Sequence, residues 1–216
     1  MIDYYKNNLL FHKVDENHLD TLINYFGDIQ SCAKGEYLMK QGSDDSTIFL
    51  LVSGKVRLSI VSENGGHLSY NDILPNDYFG FLSYINSGDR LSSALAQDDI
   101  KFYTIKVDEF EKILMSHPQI QKNFLLRLGD VIKRYTMRIE ELTFSSVSER
   151  ILLEINRLYI QRGNPIQIKS HEDMASWAGT TRETVSRTMS DLEKRRIITR
   201  IGANQYEFHN DQPSND

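Results

Sequence analysis

The chain has a single cysteine, Cys32, so no disulfide framework can form within it, and a lone thiol suits a reducing cytoplasm. No apolar run approaches the roughly 18 residues that a membrane span needs. The opening stretch, MIDYYKNNLLFHKVDENHL, has early acidic residues and no long apolar segment, so it does not read as a secretory signal. His12, His18, His67, His117, His171 and His209 are scattered, and no His-x-His pair occurs. That pattern excludes the clustered ligands of a cupin-type metal enzyme. Gly-x-Ser-x-Gly, a Walker-type phosphate loop and Cys-x-x-Cys are also missing, which leaves catalysis no residues to rest on. Nor is there a general excess of positive charge, since the net charge is −5.

What is present is distributed unevenly. Residues 179–200 carry Arg182, Arg187, Lys194, Arg195, Arg196 and Arg200 against Glu183, Asp191 and Glu193. A local basic patch on an acidic protein can track phosphates, while the acidic remainder weakens non-specific binding. The length of 216 residues suggests one or two domains, and an apolar share of 40% is ample for ordinary cores.

Residues 14–26 fit a short amphipathic helix with Leu19, Leu22, Ile23 and Phe26 on one side. From Gly35 to about Val107 the pattern becomes short β-rich runs, TIFLLVSG, KVRLSIV, HLSYNDIL and IKFYTIKV, divided by turn signals such as ENGG. Strands at this spacing predict a sandwich or barrel. Residues 108–116 read as a helix ended before Pro118. A long helix then runs to about Phe144. Leu125, Leu128, Ile132, Tyr135, Ile139 and Leu142 alternate three and four apart along it, which is a heptad seam and predicts a homodimer. Phe124 and Val131 lie beside the seam, toward the β domain. Ser146 and Glu149 form a capping box that opens another helix, ended by Gly163-Asn-Pro165. The expected domains are 1–116, 117–145 and 146–216, with a frayed polar tail, NDQPSND.

Residues 170–200 say most. They read as two short helices around a tight turn at Gly179, the first capped by Ser170 with Asp173, and IITRIGANQYEFH follows as a two-stranded wing. The second helix has an apolar side, Val185, Met189 and Leu192. At about 100° per residue, Glu183, Ser186, Arg187 and Ser190 share an opposite arc, with Arg182 beside it in the first turn. Arginine can pair with two acceptors on a guanine edge and glutamate can accept from cytosine N4, so this face suits reading bases in double-stranded DNA.

The pattern resembles the Crp/Fnr family of bacterial transcription regulators. The likeness runs through KGEYLMKQG, IFLLVSGKVRL, PNDYFGFL, the long helix and GTTRETVSRTMSDLEKRRII, and so covers nearly the whole chain. It implies an α+β architecture: an N-terminal jelly-roll-like β-roll of the cyclic-nucleotide-binding kind, a dimerisation helix and a C-terminal winged helix-turn-helix. By the resemblance, Arg182, Glu183, Ser186 and Arg187 match the family's base-reading positions, and the half-site should resemble TGTGA or TTGA. Two copies would read an inverted repeat with centres about 34 Å apart. Thr180, Thr181, Ser170 and Lys169 become phosphate contacts. RNA polymerase is the partner implied by family likeness.

The sensing segment departs from the cyclic-nucleotide version. Family members that bind cyclic nucleotides place Gly-Glu-Leu after an aromatic turn and Arg-Ser/Thr-Ala about ten residues on. Here the first segment is Gly80-Phe81-Leu82 and the second is Leu91-Ser92-Ser93-Ala94. Arg90 is near but displaced, and a shift along a strand can point it away. Tyr135 and Thr136 stand where small hydroxyl residues would touch the base. Burying a phosphate without its cation is costly, so cyclic AMP is not expected as a tight effector. Tyr70, Phe79, Phe81, Leu82, Tyr84 and Tyr135 either frame an apolar effector pocket or fill the core. Two alternatives stand: a cyclic-nucleotide-gated regulator in which Arg90 reaches the phosphate, and a DNA binder that needs no effector. An iron–sulfur cluster needs four cysteine ligands, and haem would find only His67 in the β domain, so no cofactor is expected.

Overall fold

The computed structural model describes residues 2–86 and 88–209, so the tail expected to fray lies outside the described residues. The chain forms two compact units: among the described residues the first takes in 2–61 and 70–136 and the second 62–69 and 137–209, so that one division falls inside the long helix, between Thr136 and Met137, and the turn and first residues leading into the fifth strand go with the second unit.

The first unit opens with α1 (Ile2–Asn7), a 3₁₀ turn at Leu9–Phe11 and α2 (Glu16–Ile23). Asp15 caps α2 by accepting from the Asn17 amide, and Leu19 and Leu22 are the buried face. Eight strands follow: β1 (Gln30–Cys32), β2 (Tyr37–Met39), β3 (Thr47–Ser53), β4 (Val56–Val61), β5 (His67–Ile73), β6 (Tyr78–Phe79), β7 (Ser93–Ala96) and β8 (Ile100–Lys106), with α3 (Leu82–Asn86) between β6 and β7. They make two four-stranded sheets, β1-β8-β3-β6 and β2-β7-β4-β5, which is the expected roll. The helices α4 (Val107–Ser116) and α5 (Pro118–Phe144) complete the set. Proline suits the first turn of α5 because the amide it lacks would have no helical partner there.

Strand β3 shows why TIFLLVS is buried almost throughout rather than alternating. Ile48 and Leu50 join a core with α1, α2, α4 and the start of α5, whereas Phe49 and Leu51 join a second core between the two sheets. Strand β8 does the same, with Tyr103 and Ile105 on one side and Ile100 and Phe102 on the other. A strand covered on both faces reads as a continuous apolar run. The register pairs Phe49 with Thr104 and Leu51 with Phe102.

The second unit holds α6 (Val147–Arg162), β9 (Ile166–Gln167), α7 (His171–Ala178), α8 (Arg182–Lys194), β10 (Ile198–Gly202) and β11 (Gln205–Phe208). Strands β10-β11-β9 form one small sheet. The Ser146–Glu149 capping box is complete in both directions. Ile151, Ile155, Met174, Val185, Leu192 and Tyr206 belong to the single core these elements share. The architecture is a winged helix-turn-helix, as the sequence predicts. Helices α1 and α3 carry no sequence expectation, because helices of five or six residues are too short to display a period.

Candidate nucleic-acid interface and effector cavity

Three local devices set the recognition helix. Ser170 Oγ accepts from the Asp173 amide at 3.0 Å and starts α7. Gly179 ends α7 in the left-handed conformation, φ 62° and ψ 50°. Thr181 then caps α8 by accepting from the Thr184 amide at 3.3 Å. Val185, Met189 and Leu192 are buried, and the helix is thereby locked with its other side outward. Arg182, Glu183, Arg187 and Ser190 are exposed.

Ser186 behaves differently. It is half-buried, its hydroxyl donates to the Arg182 carbonyl at 3.1 Å, and its oxygen lies 2.8 Å from His171 Nδ1. Both functions of the hydroxyl are therefore occupied within the domain. Arg187 Nη2 reaches Thr184 Oγ1 at 3.3 Å. Lys169 is exposed and stands 3.9 Å from the Asp173 carboxylate, Thr181 is exposed, and Thr180 and Ser170 are half-exposed beside the turn.

Sequence reading missed how α7 is held from behind. Arg138, near the end of α5, donates to the Trp177 carbonyl, and Arg150 Nε on α6 donates to the Ala178 carbonyl at 2.7 Å. Two cations thus satisfy the last carbonyls of α7, the negative end of its dipole. Arg157 stacks over the Trp177 ring at 4.1 Å. A methyl at Gly179 would stand 3.3 Å from Leu142 Cδ2 and would occupy a conformation that costs L-residues energy. Gly179→Ala is therefore expected to lower the stability of this domain by about 1 kcal/mol. Denaturation followed by the fluorescence of Trp177, the only tryptophan, measures it.

The heptad seam divides by position. Leu125, Ile132 and Ile139 are 65, 65 and 64% exposed. Leu128, Tyr135 and Leu142 are half-buried. Leu128 packs on the helical core of the first unit, as do Phe124 and Val131. The Tyr135 ring meets Tyr70 edge-on at 5.4 Å.

A cavity of about 40 Å³ lies within the first unit. It has room for little more than one water molecule. Of the expected lining residues, Tyr70, Phe79, Gly80, Phe81, Leu82, Arg90, Ser92 and Tyr135 border it; Tyr84, which packs against Phe110 and Phe124, Ser93 and Thr136 do not. Ser93 is buried and accepts from the Gln41 amide, while exposed Thr136 donates back to the Ile132 carbonyl. Arg127 and Arg134 on α5 also border it and were missed, because a heptad reading attends only to apolar positions. Arg127 is paired with Asp77 at 2.7 Å, and Arg134 with the Asn71 side chain at 2.9 Å. Burial raises the Asp77 pKa, with Arg127 opposing it.

The displacement of Arg90 does not turn it away from the cavity. Arg90 is 3% exposed and borders the cavity. Its guanidinium donates to Asp45 at 2.9 Å, to the Gly80 carbonyl at 2.6 Å, to Ser83 at 3.2 Å and to the Thr47 carbonyl. Only Nε is without a partner. Burial alone would raise Asp45, but hydrogen bonds from Arg90 and Thr47 outweigh it and hold that carboxyl below its usual range. Gly80 has φ +90°, and a Cβ there would fall 2.8 Å from the Thr47 carbonyl and 3.0 Å from Arg90, so this clamp closes only around glycine. Phe81, standing where nucleotide binders have glutamate, is turned into the core against Tyr78 and Phe124, at 5.3 and 5.5 Å between ring centres. Phe81 is thus part of the core, and the Arg90 guanidinium already has a carboxylate partner.

Comparison with known proteins bears on the whole arrangement. Residues 29–117 match the cyclic nucleotide-binding domain, and residues 149–210 match the Crp-like helix-turn-helix domain. The chain belongs to the Crp/Fnr family. The Cyclic AMP receptor protein of Thermus thermophilus is 26% identical over 197 residues, spanning 91% of this chain and 90% of that protein. The Global nitrogen regulator of Synechococcus elongatus is 28% identical over 199 residues, 85% of this chain and 90% of that one. The solved structure of the c-di-GMP responsive global regulator of Xanthomonas campestris shares the fold, with a TM-score of 0.80 at 15% identity, covering 90% of this chain and 99% of that one. This family member is a transcription regulator with a helix-turn-helix, and its relatives are regulators rather than enzymes. Among the described residues no helix is long and apolar enough to cross a membrane.

Proposed function

We propose that the protein is a cytoplasmic homodimer, joined through α5, that binds an inverted repeat with TGTGA- or TTGA-like half-sites and regulates transcription with RNA polymerase. The observation that carries the reading is the capped helix α8, buried on Val185, Met189 and Leu192 and presenting Arg182, Glu183 and Arg187 outward. Guanidinium groups pair with guanine and the carboxylate with cytosine, and Lys169, Ser170, Thr180 and Thr181 supply phosphate contacts. No iron–sulfur cluster or haem takes part. Gel shifts on such palindromes against scrambled duplexes test the reading. Equal affinity for both at all salt concentrations would contradict it.

The effector is not cyclic AMP, or there is none. Support comes from Phe81 in the core and from Arg90 already clamped by Asp45, Thr47 and Gly80. Releasing Arg90 to serve a phosphate would leave Asp45 and two carbonyls without their donor, at a cost set by lost charge-assisted hydrogen bonds. Calorimetry with cyclic AMP is expected to give no heat in the micromolar range, and binding there would restore the nucleotide-gated alternative. Undiminished DNA binding by ligand-stripped protein would favour the effector-free alternative. Where an effector acts, it acts near Tyr135 and biases α5 and the junction at 144–146. Tyr135→Ala should then alter the ligand response of DNA binding.

A further inference from the structure

His171 opens α7, yet its ring serves three elements. Nδ1 lies 2.8 Å from Ser186 Oγ on α8, and Nε2 lies 3.4 Å from the Tyr206 hydroxyl on β11. Ser186 already donates its proton to the Arg182 carbonyl, so its oxygen accepts from His171. Nδ1 therefore carries the hydrogen, and in the neutral ring Nε2 accepts from Tyr206. The charged groups facing this ring are Arg182 and Glu193 of α8 and Arg200 of β10, with Tyr206 of β11 beside them. Burial first, then the Arg182 and Arg200 guanidinium groups, push the imidazole below its usual titration range, and Glu193 opposes them weakly.

We propose that His171 is a positioning residue that fastens the recognition helix to the wing, and that it takes up a proton when DNA engages Arg182 and Arg200. The proposal rests on the reading of α8 as the DNA-facing helix. Base and phosphate acceptors compensate the two guanidinium groups, which removes part of the repulsion against a charged ring. The anchoring survives protonation. Nδ1 donates to Ser186 in both forms, and at Nε2 the Tyr206 hydroxyl turns from donor to acceptor. Because the ring holds its proton more tightly in the complex, linkage requires tighter DNA binding as pH falls. The gain begins at the imidazole titration of the complex and is complete below that of the free protein.

The test follows the His171 ring by NMR in the full-length protein, free and bound at low ionic strength to a TGTGA palindrome or to a scrambled duplex. His171 is expected to titrate at higher pH in the complex. In parallel, wild-type affinity should rise as pH falls through the imidazole titration, by no more than about tenfold per pH unit for each half-site engaged, since at most one proton is taken up per DNA-binding domain. His171→Asn keeps a donor toward Ser186 and cannot titrate. Whatever its affinity, it should show a shallower slope with pH than wild type. A ring that titrates at the same or lower pH in the complex overturns the proposal, as does an unaltered slope in His171→Asn. If wild type binds neither duplex, the assignment of α8 to DNA falls first and this inference with it.

Discussion

Arg187→Ala is expected to lose about 1–3 kcal/mol of binding at each half-site, and to lose it selectively. Arg187 is exposed, and its hydrogen bond to Thr184 is a surface contact, so truncation leaves the buried side of α8 untouched. Domain stability should stay within about 0.5 kcal/mol of wild type. A symmetric dimer suffers the loss twice, so the palindrome should weaken by roughly two to four orders of magnitude, with the larger losses at the upper end of the per-site range. The decisive reading is a panel of duplexes with single base changes. The variant should bind poorly to the preferred site yet discriminate little at one guanine position. Uniform weakening across the panel, with a shallower salt dependence, would reassign Arg187 to the phosphate backbone.

Why α8 was legible while the effector site was not comes down to range. The caps at Ser170 and Thr181, the left-handed glycine and the three buried apolar residues of α8 are local signals, separated by a handful of positions. They imply one another through helix geometry alone. The role of Ser186 was less legible. Helical spacing places it on the exposed arc, but His171 lies 15 positions away and only the packed domain brings the ring to its hydroxyl. Arg90 poses the same problem over a longer reach. Its partners Asp45 and Thr47 sit just before β3 and at its first residue, so no spacing near Arg90 announces a clamp. The long helix shows a third limit. A heptad pattern marks which positions are apolar, not which neighbour covers them. Leu128 and Tyr135 satisfy the period by packing on the first unit's own residues, whereas Leu125, Ile132 and Ile139 satisfy it by facing outward.

That outward row carries the largest effect expected of any surface change. Leu125, Ile132 and Ile139 are spaced seven apart and roughly two-thirds exposed, with Leu126 and Met137 also exposed. Contiguous apolar surface on this scale is rarely left to water. Ile132→Glu keeps a good helix former at an exposed position, so the single chain should fold unchanged. In a two-fold pair each glutamate would lie in an apolar seam near its own copy, two like charges without a cation between them. Sedimentation should therefore find monomers where wild type is dimeric. Loss of the second half-site contact should lower affinity for the palindrome by about 10²–10⁴-fold, the factor that tethering two weak contacts supplies. Binding to an isolated half-site should be nearly unchanged, because α8 and its supports at Arg138 and Arg150 lie in the other unit. A variant that stays dimeric and keeps its affinity would show that this row of α5 is not where two chains meet.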